Sequence, residues 1–322
     1  MSSAAAKLLP KKNTSYRLIT RSDMDGLVCS VLLKELGIVD DIMFVHPKDM
    51  QDGLIEVDGN DISANLPYHP DVYLAFDHHT SELKRVGSSA DNHVIDGDAP
   101  SASRVLYDYF GGAKTFPRVS YDMMEAVDKV DSASLTRDDI LDPKGWVLLG
   151  MLMDARTGLG RFRDFNISNY QLMMQLIDHC REHDEIEAIL DLPDVKERVD
   201  LFMDHKERHK KQLMDCTRME GGLAIVDLRK EDEIWAGNRF VVYALYPQCN
   251  ISAHVMWGKN RQNTVIAVGK SILNKTSPVH IGHLMLEYGG GGHAAAGTCQ
   301  VDNLKADDTL KKIVERILAE NG

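Results

Sequence analysis

The chain has no apolar run of the roughly 18 residues that a membrane-spanning helix requires. Its first stretch, Met1–Lys12, lacks the apolar core of a secretory signal, and a frayed lead-in is expected there. Cysteine is scarce. The five residues Cys29, Cys180, Cys216, Cys249 and Cys299 are odd in number and form no CxxC pair. Such a pattern points to a reducing cytoplasm and argues against structural zinc held by cysteine. Positive charge is also in deficit, with 37 Lys and Arg against 49 Asp and Glu and a formal net charge of −12. A chain of that sign lacks the basic footprint of a protein that binds long duplexes. It leaves open a short phosphate ligand held with a metal in a local pocket.

What is present is a chain of 322 residues, 43% of them hydrophobic, enough for sizeable cores and, on size, for two domains. The stretch Tyr73-Leu74-Ala75-Phe76-Asp77-His78-His79 organises it. Four apolar or aromatic residues predict a buried strand, and that strand delivers a carboxylate and two imidazoles at its end. In an open α/β sheet, ligands bind at the carboxyl edge of the strands.

Tyr16–Thr20 predicts a first strand running into Arg21-Ser22-Asp23-Met24-Asp25-Gly26, followed by a helix from Leu27 to Leu36 closed by Gly37. Gly26 permits a tight turn, and the helix start favours anions. A capping role accounts for one of the two acids but not for both. Further strands are expected at Ile42–Val45, at Asp61–Leu66 and at Tyr73–Phe76, which together predict a parallel, doubly wound α/β sheet. Helices are expected from Pro100-Ser101 to Phe110, from Tyr121 to Val130, from Trp146 to Met153, over 169–188 and over 194–220. The last carries mixed charges along its length and reads as a solvated connector between a domain at 1–193 and another at 221–322.

After Gly221-Gly222, strands are expected at Leu223–Val226, Phe240–Tyr243, Ile251–Met256 and Val265–Val268, with helices near 279–288 and 305–319. Between those helices lies Gly289-Gly290-Gly291-Gly292-His293-Ala294-Ala295-Ala296-Gly297. Four glycines in a row carry an entropic cost and allow successive N–H groups to turn toward one anion. A helix start packed close on a phosphate is the expectation.

Asp23-x-Asp25, Asp77-His78-His79 and the late Gly-Gly-Gly-Gly-His resemble, in type, order and spacing, the DHH phosphoesterase superfamily with its DHHA1 substrate domain. Within it, the chain resembles the branch of nano-RNases and dinucleotide phosphodiesterases related to exopolyphosphatases. The resemblance spans nearly the whole chain. It implies a parallel-sheet DHH catalytic domain, a smaller α/β DHHA1 substrate-binding domain and a cleft between them holding Mn²⁺, with Mg²⁺ or Co²⁺ as alternatives. Carried over by position, it implies Asp23, Asp25, His78 and Asp131 as metal ligands, Asp77 as the group orienting His78, and His79 facing the scissile phosphate. Asp128, one turn before Asp131, supports it; Asp154 is a rival by local sequence. Gly290, Gly291, Gly292 and His293 would grip substrate, with Arg239 as a further candidate.

Two positions depart from the family pattern. The second motif places an Asp at a strand end, where this chain has Asn65 with Asp61 at the strand's start, and Ile19 stands where some relatives carry a His. Both changes fall on one metal position, so a tight site (Asp25, His78, Asp131) and a weaker one are expected. The expected activity is Mn²⁺-dependent hydrolysis of short oligonucleotides, above all linear dinucleotides such as pGpG or pApA, without long duplexes or membranes as partners. A phosphatase acting on polyphosphate or 3′-phosphoadenosine 5′-phosphate, and a nucleotide sensor weakened by Asn65, are the alternatives. The resemblance is also compatible with a homodimer.

Overall fold

The computed structural model describes residues 9–10, 14–86, 90–162, 164–183 and 185–321. The lead-in expected at Met1–Lys12 lies outside them except for Leu9 and Pro10. The chain forms two compact units. The first takes the described residues of Met1–Ser134, Pro143–Ala155 and Gly160–Val199, and the second those of Leu135–Asp142, Arg156–Leu159 and Asp200–Gly322. Among the described residues no helix is long and apolar enough to cross a membrane.

The first unit opens with β1 (Tyr16–Thr20), α1 (Met24–Glu35), β2 (Val39–Phe44), α2 (Pro47–Gln51), β3 (Asp61–Ala64), β4 (Leu74–Asp77), α3 (Thr80–Val86) and β5 (His93–Ile95). Its five strands form one parallel sheet in the order β2-β1-β3-β4-β5. Leu18, Ile19, Ile62, Leu74 and Phe76 are buried, the near-continuous apolar pattern of strands covered on both faces. Because β2 and β3 flank β1 on opposite sides, the strand order reverses at β1/β3, and a crevice opens there at the carboxyl edge. Helices α4 (Ala102–Phe110), α5 (Tyr121–Asp131), α7 (Gly145–Met153), α8 (Asn169–Glu182) and α9 (Ile186–Leu190) complete the unit, while the intervening α6 (Arg137–Leu141) groups with the second. The helix expected over 169–188 is therefore two.

Helix α10 (Pro193–Cys216) leads into a six-stranded mixed sheet, β10-β11-β9-β8-β7-β6. Its strands are β6 (Thr217–Glu220), β7 (Leu223–Asp227), β8 (Ile251–Trp257), β9 (Thr264–Lys270), β10 (Gly291–His293) and β11 (Ala296–Val301), and its helices α11 (Val241–Leu245), α12 (Ile281–Leu286) and α13 (Ala306–Asn321). Leu223, Ile225, Ile251, Val255, Ile266 and Val268 build the core with Ile281, Met285, Ile313 and Ile317.

Three local expectations are corrected here. Residues Thr217–Glu220 leave the connector helix and pair with β7, because Gly221 at φ 57° closes a two-residue hairpin turn. Val241–Tyr243 is helical, not extended: Asn238 accepts the Phe240 N–H at its side chain and the Val241 N–H at its carbonyl, which starts a helical turn. A short apolar run does not separate the two states. The glycine stretch is a hairpin, β10 into β11, and not a helix start.

Candidate metal centre

Three adjacent strands deliver the first unit's candidates at the carboxyl edge: β1 runs into Asp23, β3 into Asn65, and β4 into Asp77-His78-His79. Asp23 caps α1 through its Oδ1, which accepts the Gly26 N–H at 3.0 Å, and its Oδ2 lies 3.0 Å from Arg21 Nε. Asp25 sits inside the first turn and is 1% exposed. A Cβ on Gly26 would fall 1.8 Å from the Arg21 carbonyl oxygen, so glycine is what allows the turn to fold this tightly.

The Asp25 carboxylate docks on the start of α4. Its Oδ2 accepts the Ala102 N–H at 3.0 Å, and its Oδ1 accepts the Ser103 N–H at 2.8 Å together with the Ser103 hydroxyl. The positive end of a helix favours such an anion. Burial nevertheless pushes the Asp25 carboxyl up, and the Asp131 and Asp23 carboxylates add to this, to about 7. Asp131, at the end of α5, places Oδ2 2.8 Å from His78 Nε2. One turn earlier, Asp128 accepts hydrogen bonds from Ser101 Oγ at 2.7 Å and Arg104 Nε at 2.9 Å, which ties α5 to α4. Ligand atoms of Asp25, His78 and Asp131 all lie within 4.8 Å of one another.

His78 Nδ1 is 3.2 Å from the Ala99 carbonyl oxygen. A carbonyl only accepts, so Nδ1 carries the proton and Nε2 is the ligand end of the ring. Burial lowers the affinity of His78 for a second proton, but Asp131, Asp25 and Ala99 outweigh it and raise the pKa to about 9. Contrary to the expectation that Asp77 orients His78, its carboxylate pairs with His79. Its Oδ1 lies 2.7 Å from His79 Nδ1, and this contact is the main reason that the His79 pKa is raised. With Nδ1 so engaged, Nε2 is the free end of a half-exposed ring.

Asn65 stands at the switch point with φ 56° and donates from Nδ2 to Asp23 Oδ1 at 3.1 Å, while its own Oδ1 is buried without a hydrogen-bond partner. Asp61 is at the other end of β3, paired with Arg17 at 2.7 Å beside the start of β1, and does not reach this edge. Asp154 is the C-cap of α7 and is not part of the three-residue cluster. Ala99 and Ser103 escaped sequence reasoning; the signal was Pro100-Ser101-Ala102-Ser103, read only as a helix start.

The remaining candidates belong to the second unit. A Cβ at Gly290 would fall 2.2 Å from the Thr298 carbonyl oxygen, and one at Gly292 2.2 Å from that of Ala296, whereas Gly291 has nothing within 4 Å. His293 is exposed, with Nδ1 accepting the Ala295 N–H at 3.3 Å. The Arg239 guanidinium lies over the Phe240 ring, 4.3 Å from its centroid.

The first unit's donor set suits a divalent cation. Two carboxylates and an imidazole crowd one point, Asp25 is buried there at a cost to its charge, and the polar atoms Asn65 Oδ1, Asp77 Oδ2 and His78 Nε2 are buried without a well-formed hydrogen bond. A cation would offset both the repulsion and the missing partners.

No protein-family model matches the chain, and neither does any curated protein. Among solved structures, a pGpG-specific phosphodiesterase, PggH of Vibrio cholerae, is 55% identical over 95% of this chain and 100% of its own, with a TM-score of 0.86. The DHH domain of a member of a family of ribosomal proteins is 14% identical over 94% of this chain and 87% of its own, with a TM-score of 0.57. CDC45 of Entamoeba histolytica is 9% identical over 96% of both chains, with a TM-score of 0.53. The last two share the fold.

Proposed function

The chain belongs to the DHH phosphoesterase family, and we propose that it is a metal-dependent phosphodiesterase that hydrolyses the linear dinucleotide pGpG to mononucleotides. The observation that carries this reading is 55% identity, along the full length of the relative, to an enzyme specific for pGpG, joined to a centre whose donors converge as metal ligands do.

Asp25, His78 and Asp131 would hold the ion tightly, with Asp23 and Asn65 forming a weaker position beside them. Mn²⁺ suits this mixture of oxygen and nitrogen donors. When bound, the ion supplies a water of lowered pKa and screens the phosphoryl oxygens. The chain's own residues do the rest. The Ala99 carbonyl keeps His78 in the tautomer that presents Nε2. Ser103 and the start of α4 hold Asp25 in place. His79, with Nδ1 given to Asp77, is left to donate a proton from Nε2 to the departing oxygen. In the second unit, Gly290, Gly291, Gly292 and His293 together with Arg239 are proposed to take up phosphate charge. Asn65 offers only a neutral carbonyl oxygen and spends its amide on Asp23 Oδ1, which supports unequal metal positions.

Product analysis tests the assignment: Mn²⁺ with pGpG, pApA, a five-nucleotide RNA and polyphosphate, alongside a His78→Ala control. Mononucleotide from pGpG and none from the control is the expected result. Phosphate released from polyphosphate, with pGpG untouched, would overturn it.

A further inference from the structure

A second constellation of metal-ligand side chains lies on α8, away from the centre described above. His179, Glu182 and His183 place one ligand atom each within 4.8 Å of one another. Spacings of three and four residues bring all three to one helical face. Two imidazoles one turn apart form the helical half of many zinc sites, and a carboxylate beside them completes a three-ligand set with a fourth position open. The two rings lie nearly parallel, 26° apart with centroids separated by 5.8 Å. His179 Nδ1 is buried and makes no hydrogen bond, so the protein leaves a polar atom of this trio unmet.

The electrostatic setting favours a cation. Helix α8 ends at Glu182, with His183 as its C-cap, and the C-terminal end of a helix carries partial negative charge. Arg181, the one cation inside the sequence motif, pairs instead with Glu35 at 3.6 Å and Asp178 at 3.5 Å. Its charge is offset by those carboxylates.

We infer that His179, Glu182 and His183 form a binding site for a borderline divalent transition ion of the Zn²⁺ class. Two nitrogens and one oxygen favour Zn²⁺ over Mn²⁺ or Mg²⁺ more strongly than the two carboxylates and single imidazole of the catalytic centre do. The sites are separate. Arg181 touches Glu35 at the last residue of α1, whereas Asp25 lies ten residues earlier on that helix, about 15 Å along its axis. An ion here spans the last turn of α8 and clamps it. It touches no reacting group, so its effect is on stability.

The test uses the full chain loaded with Mn²⁺ and dialysed against micromolar Zn²⁺, with metal content measured per chain. Wild type is compared with His179→Ala/His183→Ala and with His183→Ala alone, a change at a partly exposed helix cap. The expected result is one zinc fewer per chain in the double variant, with at least tenfold weaker zinc binding in the single one. Zinc should raise the melting temperature of wild type more than that of either variant, while Mn²⁺-supported turnover stays unchanged in all three. Equal zinc content and equal thermal shifts across wild type and folded variants would overturn the inference, because zinc would then be confined to groups that the variants share.

Discussion

His78 and His79 are neighbours with rings 4.4 Å apart, yet a different partner fixes each for a different task. His78 gives Nδ1 to a carbonyl and turns Nε2 to Asp131; His79 gives Nδ1 to a carboxylate and keeps Nε2 free. Substitution should separate the two roles. His79→Ala is expected to lower kcat by about 10²–10⁴-fold with Mn²⁺ affinity nearly intact. His78→Ala should abolish tight Mn²⁺ binding, and calorimetry beside turnover reads both. The same residues set a pH dependence. Burial raises Asp25, and Asp131 and Asp25 raise His78 to about 9, so below its raised pKa each group in the metal-free protein holds a proton that an incoming ion must displace. Apparent Mn²⁺ affinity should therefore climb between pH 6 and 9. The sign for stability is opposite. Both folded pKa values lie above their unfolded ones, so the stabilisation is fully present below the unfolded values and lost as pH rises through the folded ones. The metal-free protein should melt at progressively lower temperature from pH 6 to 9, with Mn²⁺ opposing the trend; a melting temperature independent of pH in EDTA would contradict the assignment.

At the scale of elements, the glycines divide into those that the backbone requires and those that it does not. Gly26→Ala would drive a methyl into the Arg21 carbonyl at the first turn of α1. It should cost about 3 kcal/mol and disturb the placement of Asp25. Gly290→Ala meets the Thr298 carbonyl oxygen at 2.2 Å and should cost about 1–3 kcal/mol. Gly291→Ala, in open space, should change stability by less than about 0.5 kcal/mol, so loss of turnover there with unchanged melting would speak for contact with substrate. These closures also explain what the sequence could and could not disclose. The tight turn at Gly26 was legible because a strand, two acids and a helix start surround it. The hairpin was not, because a run of glycines has no side-chain period to mark it as extended; pairing with Thr298 and Gly297 decides its state. Val241–Tyr243 misled for the converse reason, since β-branched and aromatic residues buried on all sides suit strand and helix alike. The sequence points to Asp77 but not to its ring, because a carboxylate next to one imidazole and two residues from another pairs by side-chain direction, which sequence order does not specify.

For the molecule as a whole, the question is how a chain of net charge −12 would accept the polyanionic substrate proposed for it. Long nucleic acids owe much of their affinity to the release of counterions along a basic surface, and this chain offers 37 basic residues against 49 acidic ones. A dinucleotide is a different guest, with about three charges at neutral pH and no condensed counterion atmosphere to release. Its binding can rest on an ion held by Asp25, His78 and Asp131 and on a few cationic or hydrogen-bonding groups, while the surrounding acidic field repels each added phosphate. Two results follow. KM for pGpG should rise only weakly with salt, by less than about tenfold between 50 and 200 mM, well short of the ~10³-fold or greater loss shown by proteins that contact many phosphates. Turnover should also fall as the substrate is lengthened from two nucleotides to five, and the difference should narrow at high salt, where screening over about 8 Å or less removes the repulsion. Kinetics on the two substrates at both salt concentrations measure this directly. A length preference unchanged by salt would place the discrimination in the shape of the pocket and not in the field of the whole chain.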